Sequence, residues 1–371
     1  MATIDGTAGD DFLDGTPDAD TINGYAGADE IIGEDGNDTI DGGSDNDVLI
    51  GGNGDDLVHG GDGHDMIYGD LVPNGASGDD ALYGDAGDDF LRGGPGNDYL
   101  DGGDGIDRAS FADATGPVIV DLNLQGTAQD TGQGMDTLVN IENVSGSNFD
   151  DVLIGDGGDN WLWGISGNDT IFGNDGNDFI QVGQGTQSVD GGSGTDTLQL
   201  LADGTGLMGP VVVDLGQQGS EQDTGQGMMT LNGIENLSGS SQSDTLSGDA
   251  GDNWIGGDQG DDAINGGDGN DALYGDGQAN VDTHGTGGSG PVVFYSDVTQ
   301  ADSTAADGND TIDGGAGDDL IDGGGGVDTA TYWDAAAGVD VQLGDGSSRL
   351  LRRRGGERHA LQYRECGRLG L

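Results

Sequence analysis

The chain has 371 residues, 71 of them acidic and only 9 basic, which gives a formal charge of −62. A surface of that sign repels nucleic acid and anionic membranes, and a compact chain that carries it repels itself. A single cysteine, Cys366, excludes an internal disulfide framework, and no apolar run reaches the length of a membrane span.

The first residues, Met1-Ala2-Thr3-Ile4-Asp5, hold neither a basic stretch nor an apolar one, so no secretory signal peptide is expected there. Low hydrophobicity with high charge ordinarily means disorder. Here a strict period argues against it. From Gly6 onward the pattern G-G-x-G-x-D-x-U-x, with U a large apolar residue, returns every ninth residue. A first block, 6–110, holds nonads starting at Gly6, Gly15, Gly24, Gly33, Gly42, Gly51, Gly60, Gly69, Gly84, Gly93 and Gly102, with an insertion at 71–76. The sixth position reads Asp11, Asp20, Asp29, Asp38, Asp47, Asp56, Asp65, Asp80, Asp89, Asp98 and Asp107. The eighth reads Leu13, Ile22, Ile31, Ile40, Leu49, Val58, Ile67, Leu82, Leu91, Leu100 and Ala109.

A linker, 111–145, follows, with alternating β-branched residues that predict strands. The second block, 146–199, carries Asp151, Asp169, Asp178 and Asp196, with Asn160 and Gln187 in the aspartate slot. The second linker, 200–238, repeats the first at an offset of 93, so that Gln129-Asp130-Thr131-Gly132-Gln133-Gly134-Met135 returns as Gln222-Asp223-Thr224-Gly225-Gln226-Gly227-Met228. Ile141-Glu142-Asn143 likewise returns as Ile234-Glu235-Asn236. The third block, 239–331, carries Asp244, Asp262, Asp271, Asp310, Asp319 and Asp328, with Asn253 as the exception and an insertion over about 277–306. Aspartate fills 21 of 24 slots, where its share of the chain, about a sixth, would fill about four by chance.

A third linker begins at 332–346 and gives way to a tail, 347–371, of foreign composition that holds seven of the nine arginines. Glu357 to Gly370 can be coded by triplets that, shifted by one nucleotide, read N-D-T-L-Y-N-I-E-N-V-V-G-S. Residues 136–147 read D-T-L-V-N-I-E-N-V-S-G-S. The match predicts a shifted reading frame near residue 348, which resequencing of the encoding DNA checks.

Glycine at the first, second and fourth positions lets the backbone turn and aim several carbonyls inward. The aspartate adds a carboxylate. Calcium takes six to eight oxygens, many from carbonyls, in a flexible loop of this kind. The x-U-x triplet is a short strand with its apolar side chain inward. One nonad neither closes a calcium sphere nor buries its leucine; stacked nonads do both, with each ion between successive turns. The expected fold is all-β, a parallel β-roll (a right-handed β-helix-like solenoid) in several blocks. All 21 slot aspartates are candidate ligands of multiple Ca2+ ions, and Asn160, Gln187 and Asn253 mark weak or empty sites.

On these residues the chain resembles the RTX proteins, whose hemolysin-type nonapeptide repeats form parallel β-rolls; Asp89 to Asp107 and Asp310 to Asp328 are unbroken examples. The resemblance implies two nonads per turn, calcium in the turns on both sides and an extracellular location. It also implies export by type I secretion machinery, although the arginine-rich tail departs from the family's C-terminal signal. The partners expected are calcium ions, with no nucleic acid and no membrane span. No H-E-x-x-H or G-x-S-x-G occurs, so the chain is read as a non-enzyme. Two alternatives to a free calcium-binding module are the non-catalytic C-terminal part of a larger secreted enzyme and an adhesin or surface-layer component. His59 and His64 read as solvent-facing substitutions rather than a zinc site.

Overall fold

A computed structural model describes residues 2–70, 77–200, 209–275, 309–315, 319–323 and 328–331, with the backbone of five further short strands between 278 and 363. The insertions at 71–76 and 277–306, the segment 332–346 and the tail 347–371 otherwise lie outside the described residues.

The chain forms two compact units, residues 1–180 with 281–292 and residues 181–280 with 293–371. In the first unit the nonads alternate between two parallel sheets. One runs through Thr3–Asp5, Thr21–Ala26, Thr39–Ser44, Leu57–Asp62, Ala81–Ala86 and Tyr99–Asp104. The other runs through Phe12–Asp14, Glu30–Ile32, Val48–Ile50, Met66–Tyr68, Phe90–Arg92 and Arg108–Ser110. Two nonads therefore make one turn. The register stacks identical positions, Ile22 on Ile40 on Val58 in one sheet and Ile31 on Leu49 on Ile67 in the other. This is a parallel β-roll. A three-residue strand is too short to stand alone; here each lies between two copies of itself.

The core is the eighth position of the nonad. Ile22, Ile31, Ile40, Leu49, Val58, Ile67, Leu82 and Leu91 are all 0% exposed. Their neighbours at the seventh and ninth positions alternate outward, as the period of two along a strand requires. In the second unit the same arrangement runs through Thr245–Ser247, Ala263–Asn265, Thr311–Asp313 and Asp328–Thr331, and through Asn236–Ser238, Trp254–Gly256, Ala272–Tyr274 and Leu320–Asp322.

The 93-residue repeat of the linkers is a structural repeat. Ile119–Asp121 and Val212–Asp214 each lead into a 3₁₀ turn, capped by Asp121 and Asp214 through N–H bonds from Asn123 and Gly216, both 2.9 Å. Each linker then rejoins the roll. Met135–Val139 pairs in parallel with Tyr99–Asp104, and Asn143–Ser145 with Arg108–Ser110. Met228–Asn232 pairs with Gln187–Ser193, and Asn236–Ser238 with Thr197–Leu200.

Arg92 and Arg108 are the only basic side chains before residue 349. They stand on adjacent strands of one outer face, interleaved with rings: Arg92 over Tyr68 at 5.3 Å, Arg108 over Phe90 at 4.9 Å and over Trp161 at 4.8 Å. Cation–π contact lets a guanidinium lie half-buried there, and burial draws the Arg108 group down to about 10. Trp161 is thus a packing residue at the linker–roll junction, stacked on Trp163 as well. Among the described residues no helix is long and apolar enough to cross a membrane.

Candidate metal centre

The roll brings the slot aspartates into rows along its turns. The backbone N–H of each donates to the Oδ1 of the aspartate one turn later: Asp20 to Asp38 at 2.6 Å, Asp38 to Asp56 at 2.7 Å, Asp56 to Asp80 at 2.9 Å and Asp80 to Asp98 at 3.0 Å. The row on the opposite side runs Asp11, Asp29, Asp47, Asp65, Asp89 and Asp107, each bond between 2.7 and 2.8 Å. In the second unit Asp244 donates to Asp262, Asp262 to Asp310 and Asp310 to Asp328, while Asp271 donates to Asp319 at 3.2 Å. Asp151 donates to Asp169 at 3.1 Å, Asn160 to Asp178 at 2.8 Å, and Asp196 to Glu235 at 2.8 Å. In the first block every slot carbonyl is also used, accepting a backbone N–H of the next turn, as Asp20 does from Thr39 at 3.0 Å.

That leaves Oδ2. In Asp29, Asp38, Asp47, Asp56, Asp65, Asp80, Asp89, Asp107 and Asp271 this atom is buried and receives no hydrogen bond. A buried charged oxygen without a partner is costly. Burial raises the carboxyls of Asp47, Asp56, Asp65 and Asp89 to about 7 and those of Asp80, Asp98 and Asp107 to about 8. Desolvation is the main cause; the accepted backbone N–H pulls the other way, and neighbouring carboxylates add to the rise.

Each such Oδ2 faces a cradle. It lies on the side of the nonad's first glycine where a side chain would begin, beside the carbonyl oxygen of the first glycine one turn on, or of Asn140 in the case of Asp107. A Cβ on Gly42 would meet the Asp47 carboxylate and lie 2.7 Å from the Gly60 carbonyl oxygen. Gly51 faces Asp56 and Gly69, and Gly60 faces Asp65 and Gly84, in the same way. Gly54, with φ +127°, runs its backbone against the Gly36 carbonyl. At Tyr25, Glu34 and Asp85, three of the positions where the second glycine is replaced, the backbone stays left-handed, with φ of 80°, 77° and 70°. The turn geometry is therefore kept even where the residue disfavours it.

Among the described residues no group of three or more His, Cys, Asp or Glu side chains forms a metal cluster. A cation in these turns draws on single carboxylates and on backbone carbonyls, the hard oxygen donors that suit calcium. The orphaned Oδ2 and the oxygen-lined cradle fit such an ion. In Gly42→Ala a methyl group enters the cradle. The expected result is a loss of about 1–3 kcal/mol with one fewer calcium bound, measured by thermal unfolding and calorimetry. Gly9→Ala, where a Cβ meets nothing within 4 Å, is the neutral control.

Not every slot has this form. Thr7 and Thr16 donate their hydroxyls to Oδ2 of Asp11 and Asp20 at 2.8 and 2.7 Å. Ser147 and Ser240 do the same for the carboxylates of Asp151 and Asp244, at 2.8 and 3.0 Å. The Asp20 carboxyl is accordingly held below its ordinary range, chiefly by the Ala2 N–H and then by Thr16. At Asn160 and Asn253 the side-chain amide donates to the Glu142 and Glu235 carbonyls, both at 2.7 Å. Gln187 pairs with Met229 in the adjacent strand, so neither strand brings a carboxylate to that point.

Three acidic residues outside the nonads join the rows. Asp136 Oδ1 accepts the Asp98 N–H at 2.9 Å, and Glu142 and Glu235 accept those of Asp107 and Asp196 at 2.7 and 2.8 Å. Asp136 carried a signal, since Gly132-Gln133-Gly134-Met135-Asp136-Thr137-Leu138 is a nonad lacking its first glycine. Glu142 follows no glycine and Glu235 follows the single Gly233, with φ +57°, so it is their recurrence that marks them. His59 and His64 are not brought together: His59 Nδ1 lies 2.9 Å from Asp85, and His64 Nδ1 accepts the Asp88 N–H at 2.8 Å.

A family model described as the RTX calcium-binding nonapeptide repeat matches residues 5–40, 41–71, 74–109, 145–180, 163–198, 230–264, 257–282 and 304–330, more than half of the chain. No curated protein matches it.

Proposed function

This chain belongs to the RTX calcium-binding nonapeptide repeat family, and we propose that it is an extracellular, non-catalytic module that folds as it binds many calcium ions. The observation that carries this reading is the row of buried Oδ2 atoms without hydrogen bonds, each beside a carbonyl of the next turn. The slot aspartates are its ligand set, apart from Asp11, Asp20, Asp151 and Asp244, whose carboxylates already take a threonine or serine hydroxyl, with Asp136, Glu142 and Glu235 extending the rows.

Location follows from the same chemistry. Calcium is scarce in the cytosol and abundant outside, so a chain of charge −62 stays unfolded until it leaves the cell. Export through type I secretion machinery suits a chain that must cross unfolded. Calorimetric titration of the metal-stripped chain tests the reading. Multiple calcium ions are expected to bind cooperatively, with magnesium at equal concentration failing to replace them because it demands a rigid octahedral shell. Saturation at one or two ions, or equal binding of magnesium, sinks it.

A further inference from the structure

We propose that each of the three blocks opens on one turn that closes without a cation, and that the calcium-dependent turns build outward from it. The inference rests on the calcium reading for the remaining turns. Its own ground is the residues that fill the first two slots of each block.

In the first block those slots are Asp11 and Asp20. Each has a threonine at the second position of its nonad, Thr7 and Thr16, whose backbone N–H and hydroxyl both donate to Oδ2. In the second block the slots are Asp151 and Asn160. Ser147 donates N–H and hydroxyl to the Asp151 carboxylate, and the Asn160 amide bridges the turns. In the third block they are Asp244, served by Ser240, and Asn253. In all three blocks a backbone N–H, joined by a hydroxyl at the aspartates, thus reaches the side-chain oxygen that later turns leave bare.

The asparagines are not decayed aspartates. Asn160 Oδ1 accepts the Asp156 N–H at 2.8 Å while Nδ2 donates to the Glu142 carbonyl at 2.7 Å. Asn143 Oδ1 then takes the Trp161 N–H at 2.7 Å. The second copy repeats every bond: Asp249 to Asn253 Oδ1 at 2.9 Å, Asn253 Nδ2 to Glu235 at 2.7 Å, and Trp254 N–H to Asn236 Oδ1 at 2.9 Å. A carboxylate at either position has no proton to offer that carbonyl and sets two acceptors against each other. The amide does in one covalent piece what an ion does elsewhere: it presents positive charge to a carbonyl of the adjacent turn. A clasp of this kind explains why I-E-N and G-D-N-W occur together at both junctions.

Hydrogen exchange on the full chain, read by mass spectrometry in calcium and in excess chelator, tests the proposal. Peptides covering 147–163 and 240–256 are expected to retain protection in chelator, while those covering 38–50 and 262–273 lose theirs. Equal loss in all four overturns the opening turns but leaves the calcium reading intact; no response to calcium anywhere overturns both. The double variant Asn160→Asp, Asn253→Asp gives an opposite-signed check. In saturating calcium it is expected to melt earlier than the parent and to bind no additional ions. A higher melting temperature with up to two more ions bound shows degraded calcium sites instead, and an unchanged melting temperature shows no clasp; either result overturns the proposal.

Discussion

Excess chelator is expected to convert all but the opening turns of the chain from a β-rich roll into expanded coil at pH 7.5, and added calcium to restore it. Nine named carboxylates keep a buried Oδ2 with no hydrogen bond, and at that pH most must carry charge whenever the chain is open to water. Closing the roll around them without a cation buries those charges in rows, one turn apart and of one sign. Each U side chain returns only the burial of one Leu, Ile or Val, less than the backbone entropy of the nine residues it anchors. On the proposed reading, calcium supplies what that balance lacks by neutralising the rows and joining successive turns through the bare Oδ2 atoms. Far-ultraviolet circular dichroism and small-angle scattering check the outcome, with the radius of gyration rising toward the ~70 Å of an unfolded chain of this length. A spectrum and radius unchanged in chelator contradict the coupling.

The fold was open to reading because one nine-residue unit specifies the strand, the turn and the buried residue together. Ile40 and Leu49 lie nine apart and fall on different sheets; Ile40 and Val58 lie two units apart and stack. What the period did not show were contacts whose meaning depends on the adjacent turn. Thr16 looks like a lost glycine until its hydroxyl is seen on Asp20. Asn160 looks like a weakened ligand until its amide is seen on the Glu142 carbonyl. The fifth position carries no sequence constraint of its own, yet Asp55 accepts the Asp79 N–H at 3.0 Å and Asp79 accepts the Asn97 N–H at 2.9 Å, a second row outside the first. Side chains bonded one turn away leave no periodic trace, since Asp, Asn, His and Ser all serve. Arg92 and Arg108 were equally hidden, because only the register places them on one face with Tyr68, Phe90 and Trp161.

Acid is expected to replace calcium in part. In chelator, lowering the pH from 8 toward 5 should return compact β structure that is absent at pH 8. The folded carboxyls of Asp47, Asp56, Asp65 and Asp89 lie at about 7, and those of Asp80, Asp98 and Asp107 at about 8, whereas an unfolded aspartate titrates near 3.9. Between those limits the folded state binds more protons than the unfolded one, so the stability of the metal-free roll falls as pH rises. The proton contribution is complete below the unfolded value and is lost as pH climbs through the folded values, chiefly between pH 6 and 8 for these groups. Asp20 runs the other way, since its folded carboxyl is lowered, but it is one group against seven. With calcium present the sign reverses, because protons compete for the same Oδ2 atoms and calcium affinity should fall on acidification. A pH series of circular dichroism spectra with and without calcium separates the two limbs. If the metal-free chain stays a coil at pH 5, proton neutralisation is not enough, and the bridge that calcium makes between turns outweighs the charge it cancels.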